Sequence, residues 1–81
     1  MTDTNWKHIK TVFDGDKFEL EGLNVWDYDW ISIHQRISVK DPVYGQIHRM
    51  MVYEIHHGDK VVSFAAGEFS NCVWGFYQKQ E

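Results

Sequence analysis

Residues 46–71, QIHRMMVYEIHHGDKVVSFAAGEFSN, read as one long hairpin. Two strands of about ten residues flank His57-Gly58-Asp59-Lys60, and Gly-Asp suits the tight two-residue turns whose twist matches that of paired strands. Setting His57 opposite Lys60 pairs Ile55 with Val62, Tyr53 with Phe64, Met51 with Ala66 and Arg49 with Glu68 on one face. The other face then carries His56/Val61, Val52/Ala65, Met50/Gly67 and His48/Phe69. Both faces are largely apolar, which is the pattern of central strands covered on both sides.

The segment before it, residues 30–40, is the cleanest single strand. Ile31, Ile33, Ile37 and Val39 alternate with Ser32, His34, Arg36 and Ser38, as one pleat requires. Asp41-Pro42-Val43-Tyr44-Gly45 then turns the chain, with Asp opening the turn, Pro fixing φ and a late Gly free to take positive φ. Two registers fit. A three-residue loop pairs Val39 with Ile47, Ile37 with Arg49 and Ile33 with Tyr53, whereas a four-residue loop pairs Ile37 with Met50. The first is preferred because it sets Gln35, the one polar residue on the apolar side, beside Arg49 and Glu68.

Towards the N-terminus, Trp6, Ile9 and Phe13 fit a helical stripe across residues 5–13, while Ile9, Thr11 and Phe13 fit a strand. The strand is preferred, since Asp14-Gly15 is a hairpin signal. Phe18 and Leu20 alternate with charged neighbours. Beyond Gly22 the apolar phase shifts to Leu23 and Val25, which reads as a bulge at Gly22. A turn at Asp27-Tyr28-Asp29 would set Val25 opposite Ile31 and Leu23 opposite Ile33. After a turn at Ser70-Asn71, residues 72–79 form a last strand, with Val73, Gly75 and Tyr77 on one face and Trp74, Phe76 and Gln78 on the other. The expected fold is all-β: a single-domain antiparallel meander (residues 1–81) of five or six strands, strongly curled or a half-open barrel. Residues 1–4 and 78–81 are expected to fray.

Composition narrows the functional classes. Thirteen aromatic residues, 16% of the chain, mark a folded protein rather than a disordered one. No run is long and apolar enough for a membrane span, and MTDTNWKHIK lacks the apolar segment of a signal peptide. The single cysteine, Cys72, cannot form an internal disulfide, which points to the cytosol. A net charge of −4 with scattered basic residues argues against nucleic acid as partner. Six of the twelve acidic residues fall between Asp14 and Asp29, so the negative charge is concentrated rather than spread.

Candidate sites are few. His48 and His56 share a face but sit about 26 Å apart along a strand, and no zinc-type spacing occurs, so neither metal nor cofactor is expected. Cys72 and His48 fall two strands apart, about 10 Å, beyond reach for a nucleophile and its base. Arg49, Glu68 and Gln35 read as a structural ion-pair set that pins the register, and Cys72 as a part-buried inert thiol. The stretch Trp26-Asp27-Tyr28-Asp29-Trp30 is the candidate for binding, because Trp and Tyr carry much of the energy at interfaces and loops carry function. Met50, Val52, Trp74 and Phe76 form a second apolar surface that the N-terminal segment or a homodimer would have to cover.

The reading that follows is a small cytosolic, non-enzymatic interaction module, of inhibitor or immunity type, binding a protein partner through the acidic aromatic turn. The competing reading is a small-ligand binder or minor enzyme at a half-barrel mouth, using Arg49 and Glu68. Both share one consequence: a chelator leaves the melting temperature unchanged, and Cys72→Ser is tolerated. A chelator-induced drop of several degrees in a thermal melt would overturn the reading of the histidines.

Overall fold

The computed structural model describes residues 5–70 and 72–80. Its elements in order are β1 (Trp6–Phe13), β2 (Glu19–Leu20), β3 (Leu23–Asn24), a 3-10 turn (Val25–Asp27), β4 (Ile31–Asp41), β5 (Gly45–His57), β6 (Lys60–Ser70) and β7 (Val73–Lys79). Five strands make one antiparallel sheet in the order β1-β7-β6-β5-β4, and β2 and β3 make a small hairpin of their own. The fold is thus all-β, a meander to whose last strand the first is added. Trp6–Phe13 is a strand, not a helix. Lys79 continues β7, and the Gln80 amide donates to the Asn5 carbonyl at 2.7 Å, so residues 78–80 are held rather than frayed. The expected fraying of residues 1–4 and of residue 81 falls outside the described residues.

The central hairpin follows the sequence from His57↔Lys60 to Met51↔Ala66. Beyond Met51 the β5–β6 ladder stops, and Arg49 never pairs with Glu68. Both side chains are exposed, and no ion pair joins them among the described residues. The cause is a bulge. Ile37 pairs with Met50 and Val39 with Ile47, so His48 and Arg49 face Ser38 alone, with Arg49 at φ +63°. Each of the two registers weighed for the Asp41–Gly45 turn therefore holds on one side of this bulge. A second irregularity sets Ile33, His34 and Gln35 against Val52, with His34 at φ +59°. It carries Gln35 into solvent, away from Arg49 and Glu68.

Extra residues at Ile9 in β1 and Phe69 in β6 add two more irregularities. A bulge bends its strand and increases twist, and together these curl the sheet. Trp6 on β1 then meets Ile37 and Val39 on β4 across the concave side, in one core with Met50, Val52, Ala65 and Tyr77. No ladder joins β1 to β4, so the barrel stays open along that seam.

The convex face is covered from within the chain. Asp14-Gly15 does not fold β1 back on β2; β1 pairs with β7, and the Asp14 amide bonds the Cys72 carbonyl at 2.6 Å. The segment it launches crosses the sheet as a lid. Gly22 is a turn residue rather than a bulge: Glu21 and Gly22 both take positive φ and join Leu20 directly to Leu23. Phe18, Leu20, Leu23 and Val25 pack down on Val12, Ile55, Val62, Phe64, Ala66 and Phe76. Val25 and Leu23 consequently have no ladder to Ile31 or Ile33.

The faces of two strands differ from the sequence reading. Ala65 pairs with Tyr77 and Ala66 with Phe76, so Trp74 and Phe76 lie under the lid while Met50 and Val52 lie in the concave core. Ile33 joins Met50 and Val52 rather than Tyr53 and Phe64, because the irregularity at residues 33–35 resets its face. The surface assigned to Met50, Val52, Trp74 and Phe76 is two surfaces, and the chain's own curl and lid bury Met50, Val52 and Phe76. Cys72 is exposed, at φ +68° in the β6–β7 turn, whose other residue, Asn71, lies outside the described residues.

Gly67 and Gly75 face each other across β6 and β7. A Cβ on Gly75 would sit 2.6 Å from the Phe69 ring and 2.7 Å from the Tyr77 hydroxyl, both anchored groups, the ring by stacking on Tyr44 at 4.1 Å. A Cβ on Gly67 would meet only the flexible end of Met50, 2.7 Å from Sδ. Gly75→Ala should therefore cost ~1–3 kcal/mol in denaturant unfolding, and Gly67→Ala less than about 1 kcal/mol. Equal costs would show that the anchored Phe69 and Tyr77 crowd a Cβ no more than the flexible Met50 does.

Candidate functional site

The 3-10 turn lifts Trp26 off the lid, and Tyr28 and Trp30 follow in extended chain before β4 begins. The turn is held locally: the Asn24 side chain accepts from the Phe18 amide at 3.2 Å and the Val25 amide donates to the Phe18 carbonyl at 2.9 Å. Each exposed-side indole is then tied to its own backbone. Trp26 Nε1 donates to the Asp16 carbonyl at 2.5 Å and Trp30 Nε1 to the Val25 carbonyl at 2.8 Å. With both N–H groups spent inward, orientation is fixed and ring faces are what remain for contact.

These rings sit on an aromatic bed. Trp26 and Trp30 lie 5.4 Å apart and tilted, and each meets Trp74 edge-on, at 6.0 and 5.3 Å between centroids. Phe76 lies below both, at 5.8 and 5.6 Å. Tyr28 leans on His57 from the central turn at 5.2 Å. A shallow hollow of about 280 Å³ is bounded by Val25, Trp26, Tyr28, Asp29, Trp30 and Trp74. Asp27 and Asp29 are exposed beside it, without an ion-pair partner among the described residues. Trp74 Nε1 is buried beneath, without a hydrogen-bond acceptor among the described residues. The five residues singled out in the sequence are thus gathered in one place, joined by Trp74 from the far end of the chain.

The sequence missed a second cluster. Asp41 is the one polar side chain of the described core, at 2% exposure. One carboxylate oxygen accepts from the amides of Val43 (2.8 Å) and Tyr44 (3.0 Å), the turn role its position suggests. The other accepts from the Tyr77 hydroxyl at 2.5 Å, with His8 Nε2 3.9 Å away. His8 also bonds Thr11 Oγ1 at 2.8 Å. Burial alone would raise the Asp41 pKa, but the donors from Tyr77, Tyr44 and Val43, and the His8 charge, outweigh it and hold the carboxyl below its ordinary range. Burial first, then the bond to Asp41, pushes the Tyr77 phenol far above its ordinary value. Nothing local marks Tyr77 as the partner of a residue 36 positions away; only the curl brings them together.

Other side chains form smaller sets. Ser38 Oγ and His48 Nδ1 lie 3.2 Å apart on the exposed side of β4 and β5. No carboxylate lies within 4.0 Å of His48 among the described residues, so that pair has no third group to orient it. His34, His48, His56 and His57 are all exposed, and no set of three metal-ligating side chains converges among the described residues. Among the described residues no helix is long and apolar enough to cross a membrane.

No family model, curated protein or solved structure matches this chain.

The Asp41–Tyr77 bond makes stability depend on pH at both ends. Asp41, depressed in the folded state, stabilises above its ordinary unfolded value of 3.8, and that contribution is lost as pH falls through the folded value. Tyr77, raised when folded, stabilises below about pH 10; above it the unfolded chain ionises first and stability falls. Tyr77→Phe leaves a buried carboxylate oxygen short of a donor, at a cost of ~1–3 kcal/mol. In melts across pH the variant should unfold earlier at pH 7 and show a shallower alkaline decline. An unchanged alkaline slope would remove Tyr77 as its cause.

Proposed function

We propose that the protein is a non-enzymatic interaction module that binds a basic protein partner through the surface formed by Trp26, Asp27, Tyr28, Asp29 and Trp30. The observation that carries this reading is the hollow itself: three amphipathic rings, two of them with their N–H groups tied to the backbone, rimmed by unpaired acids. A Lys or Arg side chain over such ring faces gains cation–π attraction, and a neighbouring carboxylate strengthens it. Rigid aromatic groups also lose little conformational freedom on binding, which is why they dominate interface energetics. Six of the twelve acidic residues lie on the same lid, so a basic partner is steered to this side of the molecule. An inhibitor or neutraliser of a basic protein in the cytosol fits these features.

The rival reading, a ligand site at a half-barrel mouth using Arg49 and Glu68, has less support, because the bulge at residues 48–49 leaves the two exposed and with no ion pair between them among the described residues. The test is capture from lysate with wild-type protein and with Asp27→Lys/Asp29→Lys, both exposed positions. The captured partner should be basic, and the charge-reversed variant should bind about tenfold more weakly or worse, ~1.4 kcal/mol or more. A partner retained equally by both proteins would exclude this surface.

A further inference from the structure

The aromatic hollow has a chemistry narrower than a general affinity for basic side chains. Trp30 and Trp74 stand at 88° with centroids 5.3 Å apart, and Trp26 meets Trp74 at 75° and 6.0 Å. Rings crossed in this way leave corners in which one cation can touch two of them. Tyr28 joins the lining, and all four rings are only part-buried. No Lys, Arg or His lines the hollow among the described residues. We propose, resting on the partner reading above, that the hollow receives a trimethylated lysine side chain of the basic partner in preference to an unmodified one.

Hydrogen bonding makes the choice. Trp26 and Trp30 spend their indole N–H groups on backbone carbonyls, and that of Trp74 is buried. The three indoles thus offer a cation π surface and no free donor to repel it. A bare ammonium brings three donors to be satisfied, and ring faces accept them only weakly. Methylation keeps the positive charge, and three methyl groups remove every donor. Such a head group gives up little on leaving water for a ring-lined corner, which is how aromatic cages recognise it. Size points to a side chain rather than a whole small molecule. The hollow is shallow and of about 280 Å³, just below the roughly 300–1,000 Å³ of sites that engulf a ligand. Charge agrees, since Asp27 and Asp29 are exposed within the same five residues and six of the twelve acids lie between residues 14 and 29. The same rings hold the lid on the sheet, but that role needs no ring surface left in solvent and predicts no ligand.

The experiment titrates a capped pentapeptide, trimethyllysine at its centre and arginine on either side, into the full chain. Binding is read by tryptophan fluorescence and by backbone and indole N–H shifts in NMR. Saturable one-to-one binding is expected, with shifts concentrated at residues 25–30 and 74. The peptide with unmodified lysine, and one whose central side chain has carbon in place of the ammonium nitrogen, should each bind at least about tenfold more weakly. Free choline, which lacks the flanking arginines, should also bind at least about tenfold more weakly. Trp26→Leu should lower the affinity about tenfold. Should that variant lose native amide dispersion, Asp27→Asn/Asp29→Asn, at two exposed positions, should still lower it about threefold. Capture from lysate reads the partner surface separately. Capture lost on charge reversal while the three peptides bind alike would keep that surface and overturn the trimethyllysine assignment. Choline bound as tightly as the peptide would make the hollow a site for a free quaternary ammonium and overturn both. No saturation, shifts elsewhere, or a folded variant with unchanged affinity would overturn the assignment as well.

Discussion

The hydrogen bond from the Tyr77 hydroxyl to the buried Asp41 carboxylate is the point on which the curl of this molecule turns. It links the last strand to the end of β4, at opposite sides of the sheet order, through the concave interior. A flat five-stranded sheet of this composition would leave one apolar face wet. Closing the two edges towards each other puts Trp6 over Ile37, Val39, Met50 and Val52, and the polar pair completes that contact. Gly67 and Gly75 keep the interior clear enough for Met50, Phe69 and Tyr77 to share it. Because Asp41 also takes two amides of its own turn, the same carboxylate fixes the β4–β5 connection and the curl.

The second face is solved by different means. Instead of pairing residues 14–30 into the sheet, the chain lays them across it, and a two-residue turn at Glu21-Gly22 lets Phe18, Leu20, Leu23 and Val25 all point down. Short local hydrogen bonds replace a ladder there. The lid gains its hold from aromatic packing, with Trp26 and Trp30 resting on Trp74 and Phe76. Two cores, one per face, are how a chain this short uses so many large side chains.

This division also separates charge. The lid that carries the aromatic hollow carries half the acids, while Lys7 and Lys40 lie on the two edge strands, β1 and β4. The lid needs solvated acids on its outer side, and the open edges favour lysine.

The sequence by itself determined the all-β class, the hairpin from His57↔Lys60 to Met51↔Ala66, and the turn at Asp41-Pro42, since alternation and turn chemistry are local signals. It also marked Trp26, Asp27, Tyr28, Asp29 and Trp30 as neighbours, because they are consecutive. What it missed is non-local. A one-residue bulge exchanges the faces of a strand, and Arg49 and His34 at positive φ give no more warning than any other residue. Hence simple alternation sets Arg49 against Glu68, and Trp74 and Phe76 beside Met50 and Val52, pairings the structure does not make. The pairing of β1 with β7, the lid across the convex face and the bond from Tyr77 to Asp41 were decided only in the tertiary structure. Each joins residues far apart in sequence, and what selects it is the demand that both apolar faces of one sheet be buried.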